Sequence, residues 1–172
     1  MEQVKKRCVV KVFVACYTVE KEVSRMNIRK AEPKDAGRIA EILVFNNRIN
    51  YWPIFQCEEY SFGELQVLTV AEEYRKPEVL AHTYVYDDGI IRGMVRFEGE
   101  EIQKLYVDPF FQSRGIGAAL LGFAVENGGR WLWALEKNVR GIAFYQRNGF
   151  ALTEEWLYEE DTTERLLKMK IR

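Results

Sequence analysis

The stretch Gln112-Ser113-Arg114-Gly115-Ile116-Gly117 decides how this sequence is interpreted. It lies between an apolar run at 102–107, typical of a β-strand, and an apolar run at 116–127, typical of a helix. Glycines at a strand-to-helix turn let the backbone approach a ligand closely. The unpaired N–H groups and the positive dipole end of the following helix favour an anion. The pattern therefore predicts a phosphate-bearing ligand held mainly by backbone groups.

Two common phosphate-binding motifs are excluded. The turn lacks the Gly-Lys-Ser/Thr ending of a P-loop, and Leu120 stands where the dinucleotide fingerprint has its third glycine. At this point a different nucleotide-binding enzyme and a plain structural turn both remain as alternatives.

Two further sequence blocks accompany this turn. Leu105-Tyr106-Val107-Asp108-Pro109 ends the preceding strand, and Asn138 is followed by 143–145 (Ala-Phe-Tyr) and 148–150 (Asn-Gly-Phe). In this order and spacing the sequence resembles the GNAT acetyltransferases, which use acetyl-CoA, over about residues 26–172. The resemblance implies a single-domain mixed α/β (α+β) fold with a central, mostly antiparallel sheet flanked by helices.

The resemblance also implies a set of residues that bind acetyl-CoA as a co-substrate. In the family, the strand at 105–107 diverges from the strand at 131–135, and the pantetheine arm pairs with its free backbone groups. Asn138 also suits an N-cap role, and Arg114 an exposed surface position, so two interpretations stay open for each. The implied cofactor-binding residues are Leu105, Tyr106, Val107, Gln112, Ser113, Arg114, Gly115, Ile116, Gly117, Asn138, Ala143 and Tyr145.

Two residues are candidates for catalysis. Attack of an amine on a thioester needs a proton acceptor, an oxyanion donor and a proton donor. A tyrosine has a pKa of about 10 and stays protonated, and the resemblance places Tyr145 beside the sulfur of CoA. Glu101 precedes Gln112 by eleven residues, the spacing of the general base in one branch of the family. A solvated charge beside a hairpin turn is the alternative for Glu101, and water would then be the base.

Composition limits the partners and the setting. The chain has 172 residues, 48% hydrophobic and 30% charged, which is typical of one globular domain. A net charge of −1 gives no global basic footprint for nucleic acid, and local basic patches stay open as an alternative. No apolar run is long enough to span a membrane. Cys8, Cys16 and Cys57 form no CxxC pair, and His82 is the one histidine. We therefore expect no metal and a reducing, cytoplasmic setting.

Residues 1–25 precede the region that resembles the family and match no known motif. Val10, Val12 and Val14 alternate with Lys11 and Phe13, which predicts an added edge strand. Such a strand would pair within its own sheet or with a neighbouring subunit, so a homodimer is an open expectation. The chain is thus divided into an N-terminal extension, 1–25, and a GNAT domain, 26–172.

Local signals predict the order of the elements. Pro33 and Asp35 open a first helix, a break is expected over 46–55, and a capping box from Ser61 to Glu64 begins a second helix at 62–74. Asp88-Gly89 predicts a hairpin turn. Strands are expected at 28–32, 82–86, 90–98, 101–107, 131–135, 150–158 and 164–171, and further helices at 116–127 and 138–147.

Aromatic residues cluster in the segment 47–62, which predicts either a wall of the acceptor pocket or a loop covering the core. They are Tyr51, Trp52, Phe55, Tyr60 and Phe62. The sequence thus predicts an N-acetyltransferase in which a primary amine of a small molecule or peptide attacks acetyl-CoA directly in a ternary complex. The alternative is a non-catalytic acyl-CoA-binding or interaction module of the same fold. The sequence does not specify the acceptor amine.

Overall fold

A seven-stranded sheet organises residues 27–172, the part of the chain that this computed structural model describes. The strand order is β1-β2-β3-β4-β5-β7-β6, and every neighbouring pair is antiparallel except β4 with β5. The predicted mixed, mostly antiparallel sheet is therefore confirmed. The strands are β1 Ile28–Lys30, β2 Thr83–Asp87, β3 Ile91–Glu98, β4 Glu101–Val107, β5 Trp131–Leu135, β6 Phe150–Tyr158 and β7 Arg165–Ile171.

Helices cover both faces of the sheet because successive strand residues point to opposite sides. On β3, Met94 packs into a core with Ile39 and Leu43 of the first helix, whereas Val95 packs into a second core with Leu120. The helices of residues 27–172 are α1 Ala36–Asn50, α2 Trp52–Phe55, α3 Val67–Glu73, α4 Pro77–Leu80, α5 Ile116–Glu126 and α6 Val139–Arg147.

The predicted break at 46–55 is wrong, because α1 continues to Asn50. Asn46 is 3% exposed, and its side-chain amide donates to the carbonyls of Ile42, at 2.8 Å, and Val107, at 3.0 Å. A residue that often interrupts a helix is accommodated here because its amide is fully bonded inside the protein.

The start of the second predicted helix is also wrong. Residues Glu59–Glu64 form a π-helical turn, and α3 begins only at Val67, so the Ser61–Glu64 capping box does not form. Ser61 is buried, and its carbonyl accepts a hydrogen bond from Arg48 Nε at 3.0 Å. This tertiary contact with α1 outweighs the local capping signal.

The strand predicted within 1–25 lies outside the described residues, and so does the proposed boundary at Met26. Among the helices of 27–172, none combines the length and the apolar character needed to cross a membrane.

Candidate active site

A gap opens between β4 and β5 in the centre of the sheet. The two parallel strands pair only where Glu101 lies beside Trp131. The N–H of Asp108 donates to the carbonyl of Arg92, at 2.8 Å, so these two residues form a hydrogen-bonded pair. Counting back along β4 from Asp108, every second residue is bonded to β3 in the same way. In an antiparallel ladder, alternate residues turn their main-chain groups to opposite sides. Leu105 and Val107 therefore turn theirs towards the gap, whereas the main chain of Tyr106 pairs with β3.

One of these gap-facing groups is already bonded within the protein. The Val107 carbonyl accepts from the amides of Asn46, at 3.0 Å, and Gln112, at 3.2 Å. The Gln112 amide oxygen in turn accepts from Arg140 at 2.8 Å. Gln112 thus ties the turn to β4, α1 and α6. Within residues 27–172, the N–H of Val107 and both main-chain groups of Leu105 have no hydrogen-bond partner. The sequence did not predict these contacts of Asn46 and Arg140. For Asn46 one signal was available, because asparagine is unfavourable inside a helix pattern.

The turn before α5 forms a concave cluster of N–H groups. Ser113 and Gly115 adopt left-handed backbone conformations, with φ of 62° and 81°. Within the described residues, the N–H groups of 113–118 donate to no acceptor. Alternating left- and right-handed residues at a helix start create an anion-binding concavity. The Arg114 guanidinium lies nearby over the Phe111 ring, with 5.3 Å between Cζ and the ring centroid.

Gly117 permits close packing of α5 against α6. A Cβ at this position would lie 3.3 Å from the Phe144 ring and 3.6 Å from Val107. Ile116 is buried in the core, and Ala143 is half-buried on α6. The structure therefore gives the glycine at 115 a conformational role and the glycine at 117 a packing role.

Asn138 caps α6 and faces the site. Its Oδ1 accepts from the N–H of Gly141 at 3.0 Å, and its side chain also interacts with the Tyr51 phenol. A Cβ at residue 141 would lie 2.6 Å from Asn138 Nδ2, so glycine is required for this cap. The N-cap interpretation of Asn138 is confirmed, and it is compatible with a ligand contact.

Three tyrosines meet at the wide end of the gap. Tyr145, on α6, contacts the rings of Phe144 and Phe150, with centroid separations of 5.2 and 6.1 Å. Burial raises the pKa of Tyr145 well above its usual range, and the nearby Tyr51 adds to this. Burial likewise raises the pKa of Tyr51 and of Tyr106, whose phenols interact with each other. All three phenols therefore stay protonated at neutral pH.

Tyr51 and Tyr106 line a cavity of about 1020 Å³. Its walls include Tyr51, Phe55 and Tyr60 from the aromatic segment. Trp52 and Phe62 do not line it and pack on each other, with 5.2 Å between ring centroids. The aromatic segment therefore divides between lining this cavity and covering the protein surface.

A β-bulge in β4 brings Glu101 into the cavity. Phe97 pairs with Ile102 and Arg96 pairs with Lys104, which leaves Gln103 as the extra residue. Without the bulge, residues 101 and 104 would point to opposite faces of the sheet. With it, both line the same cavity. Glu101 therefore lines the cavity, on the same strand as Leu105.

Other acidic side chains also line the cavity, and sequence reasoning missed this. They come from the π-helical turn and from the loop between β6 and β7, which are remote from each other in sequence. No set of three or more His, Cys, Asp or Glu residues within 27–172 is arranged to hold a metal ion. The acidic residues along the cavity, besides Glu101, are Glu59, Glu64, Glu159, Glu160, Asp161 and Glu164.

Comparison with known proteins shows what this chain resembles. Residues 80–152 match the family model of the acetyltransferase (GNAT) domain. An uncharacterized N-acetyltransferase of Methanocaldococcus jannaschii is 41% identical over 66 residues, which are 35% of this chain. The aligned part spans 29% of the length of that relative.

Solved structures share the whole fold. Apo YjaB from Escherichia coli superposes with a TM-score of 0.65 at 18% identity, covering 83% of this chain and 95% of that one. The PaiA N-acetyltransferase from Thermoplasma acidophilum, in complex with coenzyme A, gives a TM-score of 0.63 at 20% identity, covering 83% and 97%. Residues 80–152 therefore match the acetyltransferase (GNAT) domain model, and the chain shares the fold of these solved structures.

Proposed function

We propose that this protein is an N-acetyltransferase that transfers the acetyl group of acetyl-CoA to a primary amine of a small molecule or peptide. The observation that carries the proposal is the gap between β4 and β5, where the N–H and C=O of Leu105 have no partner among the described residues. A pantetheine arm carries amides that can pair with these groups as an additional strand. The PaiA structure contains coenzyme A, which supports the same ligand for this fold.

The cofactor phosphates would lie in the concavity before α5. The N–H groups of 113–118 and the helix dipole supply backbone donors, and Arg114 and Arg140 supply positive charge close by. Gln112 would act by holding the turn against β4, because its amide is already bonded to Asn46, Val107 and Arg140.

The acetyl group would be transferred in one step. The neutral amine attacks the thioester carbon, the carbonyl oxygen gains negative charge, and the N–H of Val107 is a candidate donor to it. The carbon–sulfur bond then breaks and the thiolate takes a proton from Tyr145, which burial keeps protonated. Before the attack, Glu101, at the cavity wall, accepts a proton from the ammonium group of the acceptor, directly or through water, and so supplies the neutral amine.

The test is release of CoA from acetyl-CoA in the presence of a panel of primary amines. Wild-type protein should release CoA only with an acceptor, and initial rates at varied concentrations of both substrates should give intersecting lines. Tyr145→Phe should lose most of this activity, whereas Tyr158→Phe, at an exposed position on β6, should retain it. Binding of acetyl-CoA without amine-dependent release would contradict the proposal and indicate the non-catalytic module instead.

A further inference from the structure

Two cations face each other on the cavity wall. Arg96 of β3 and Lys104 of β4 are direct partners in the antiparallel register, and both line the cavity. The Cα atoms of such a hydrogen-bonded pair lie about 5.5 Å apart. Like charges directly opposite each other destabilise a sheet. The arrangement therefore favours an anion between the two side chains.

The protein itself supplies little compensation. Within residues 27–172, no carboxylate forms an ion pair with either cation, although Glu159 and Glu101 act on Lys104 from a greater distance. Arg96 Nε is buried and donates to no acceptor in this part of the chain. Its neighbour Tyr74 is 3% exposed, and burial raises the pKa of Tyr74 to about 12, so this phenol stays neutral.

The pair also stands where two cavities meet. A smaller cavity of about 370 Å³, beside α1 and α3, shares Tyr60, Glu64, Arg96 and Lys104 with the larger one. Along β4, Lys104 precedes Tyr106 by two residues, which corresponds to about 7 Å. A small molecule held at the pair can therefore extend to the wide end of the gap.

We propose that Arg96 and Lys104 bind a carboxylate of the acceptor, so that the acceptor is an amino-carboxylate of roughly dipeptide length rather than a simple alkylamine or a diamine. An arginine matches a carboxylate with two parallel hydrogen bonds, and the buried Nε gains an acceptor. Acidic residues that also line the cavity, such as Glu160 and Asp161, are compatible with the ammonium end of such an acceptor. This inference rests on the proposed acetyltransferase function.

The test compares two acceptors that differ in one charge, glycylglycine and glycylglycinamide. Wild-type protein should have a kcat/KM for glycylglycine at least about tenfold above that for the amide, as expected for one charge-assisted hydrogen bond. Lys104→Met should bring this ratio to about one, and Arg96→Gln should do the same. Lys30→Met removes an exposed lysine of β1, remote from both cavities, and should keep the wild-type ratio. Circular dichroism verifies that each variant is folded. Lys104→Met is the decisive variant, because Lys104 is exposed to the cavity and its replacement should not disturb the fold.

A wild-type ratio of one, or a higher kcat/KM for 1,5-diaminopentane than for glycylglycine, would overturn the inference. If no amine is acetylated at all, the proposed function fails, and calorimetry with glycylglycine alone decides the inference separately. Binding of the dipeptide to wild-type protein and at least tenfold weaker binding to Lys104→Met would support it. Equal binding to both proteins, or to neither, would reject it.

Discussion

Replacing Gly141 by alanine should separate the stability of α6 from its role in the site. The added Cβ would lie 2.6 Å from Asn138 Nδ2 and 3.0 Å from its Oδ1. Ordinary contact requires about 3.4 Å, so the amide must retreat by roughly 0.8 Å. The 3.0 Å bond from the Gly141 N–H to Oδ1 then lengthens beyond hydrogen-bond range.

Two opposing energies follow from this displacement. Loss of the cap costs about 1 kcal/mol of the free energy of unfolding, whereas alanine in place of glycine within a helix gains about 0.5–1 kcal/mol. Gly141→Ala should therefore leave stability within about 0.5 kcal/mol of wild type. A matched control is Gly122→Ala in α5, where nothing lies within 4 Å of the added Cβ, and it should be stabilised by about 0.5–1 kcal/mol.

Cofactor binding should weaken although stability hardly changes. If the Asn138 amide bonds the pantetheine arm, its displacement removes one neutral hydrogen bond and weakens CoA binding by about two- to tenfold. Urea denaturation and calorimetric titration with CoA measure the two quantities on the same samples. The reasoning is refuted if Gly141→Ala is stabilised as much as Gly122→Ala and binds CoA as wild type does.

Three other outcomes are expected. Tyr145→Phe should lower kcat on the order of 100-fold and leave the affinity for acetyl-CoA within about twofold, because it removes a proton donor and keeps the ring; an unchanged kcat would exclude the role. Glu101→Gln should lose most activity at the lower end of a pH–rate profile from 6.5 to 10, where the amine is protonated, and a profile parallel to wild type would remove Glu101 from the mechanism. Burial opposes ionisation of Asp35, yet its hydrogen bonds from Arg29, at 2.6 and 3.0 Å, hold its pKa below the usual value. The resulting stability is present above the ordinary pKa of about 3.9 and is lost as the pH falls through the folded-state value. Asp35→Asn should therefore cost about 2 kcal/mol at pH 7 and progressively less towards pH 3 in urea denaturation, and a constant difference would contradict this account.

Local chemistry made part of this structure predictable. The turn at 112–117 and the cap at Asn138 depend on neighbours a few residues away, and both form as expected. The order of strands and of the last two helices follows from similar short-range patterns.

Long-range contacts made the rest unpredictable. Asn46 continues α1 because Val107, sixty-one residues away, accepts its hydrogen bond. The bulge at Gln103 reverses the side to which Glu101 points, and no local feature of β4 announces it. The acidic wall combines the π-helical turn with the loop at 159–164, segments that meet only in the folded chain.

The single bridge between Glu101 and Trp131 also has a consequence for unfolding. It leaves β1–β4 and β5–β7 as two hydrogen-bonded blocks, joined on one face by the core around α5. Such blocks are natural units of partial opening, so amides of β5 should exchange with solvent at a lower opening energy than those of β3. A ligand lying along both strands would add the missing connection. When it binds, the amides of the two blocks should exchange with similar opening energies. The folded sheet would then open as one unit and be more stable.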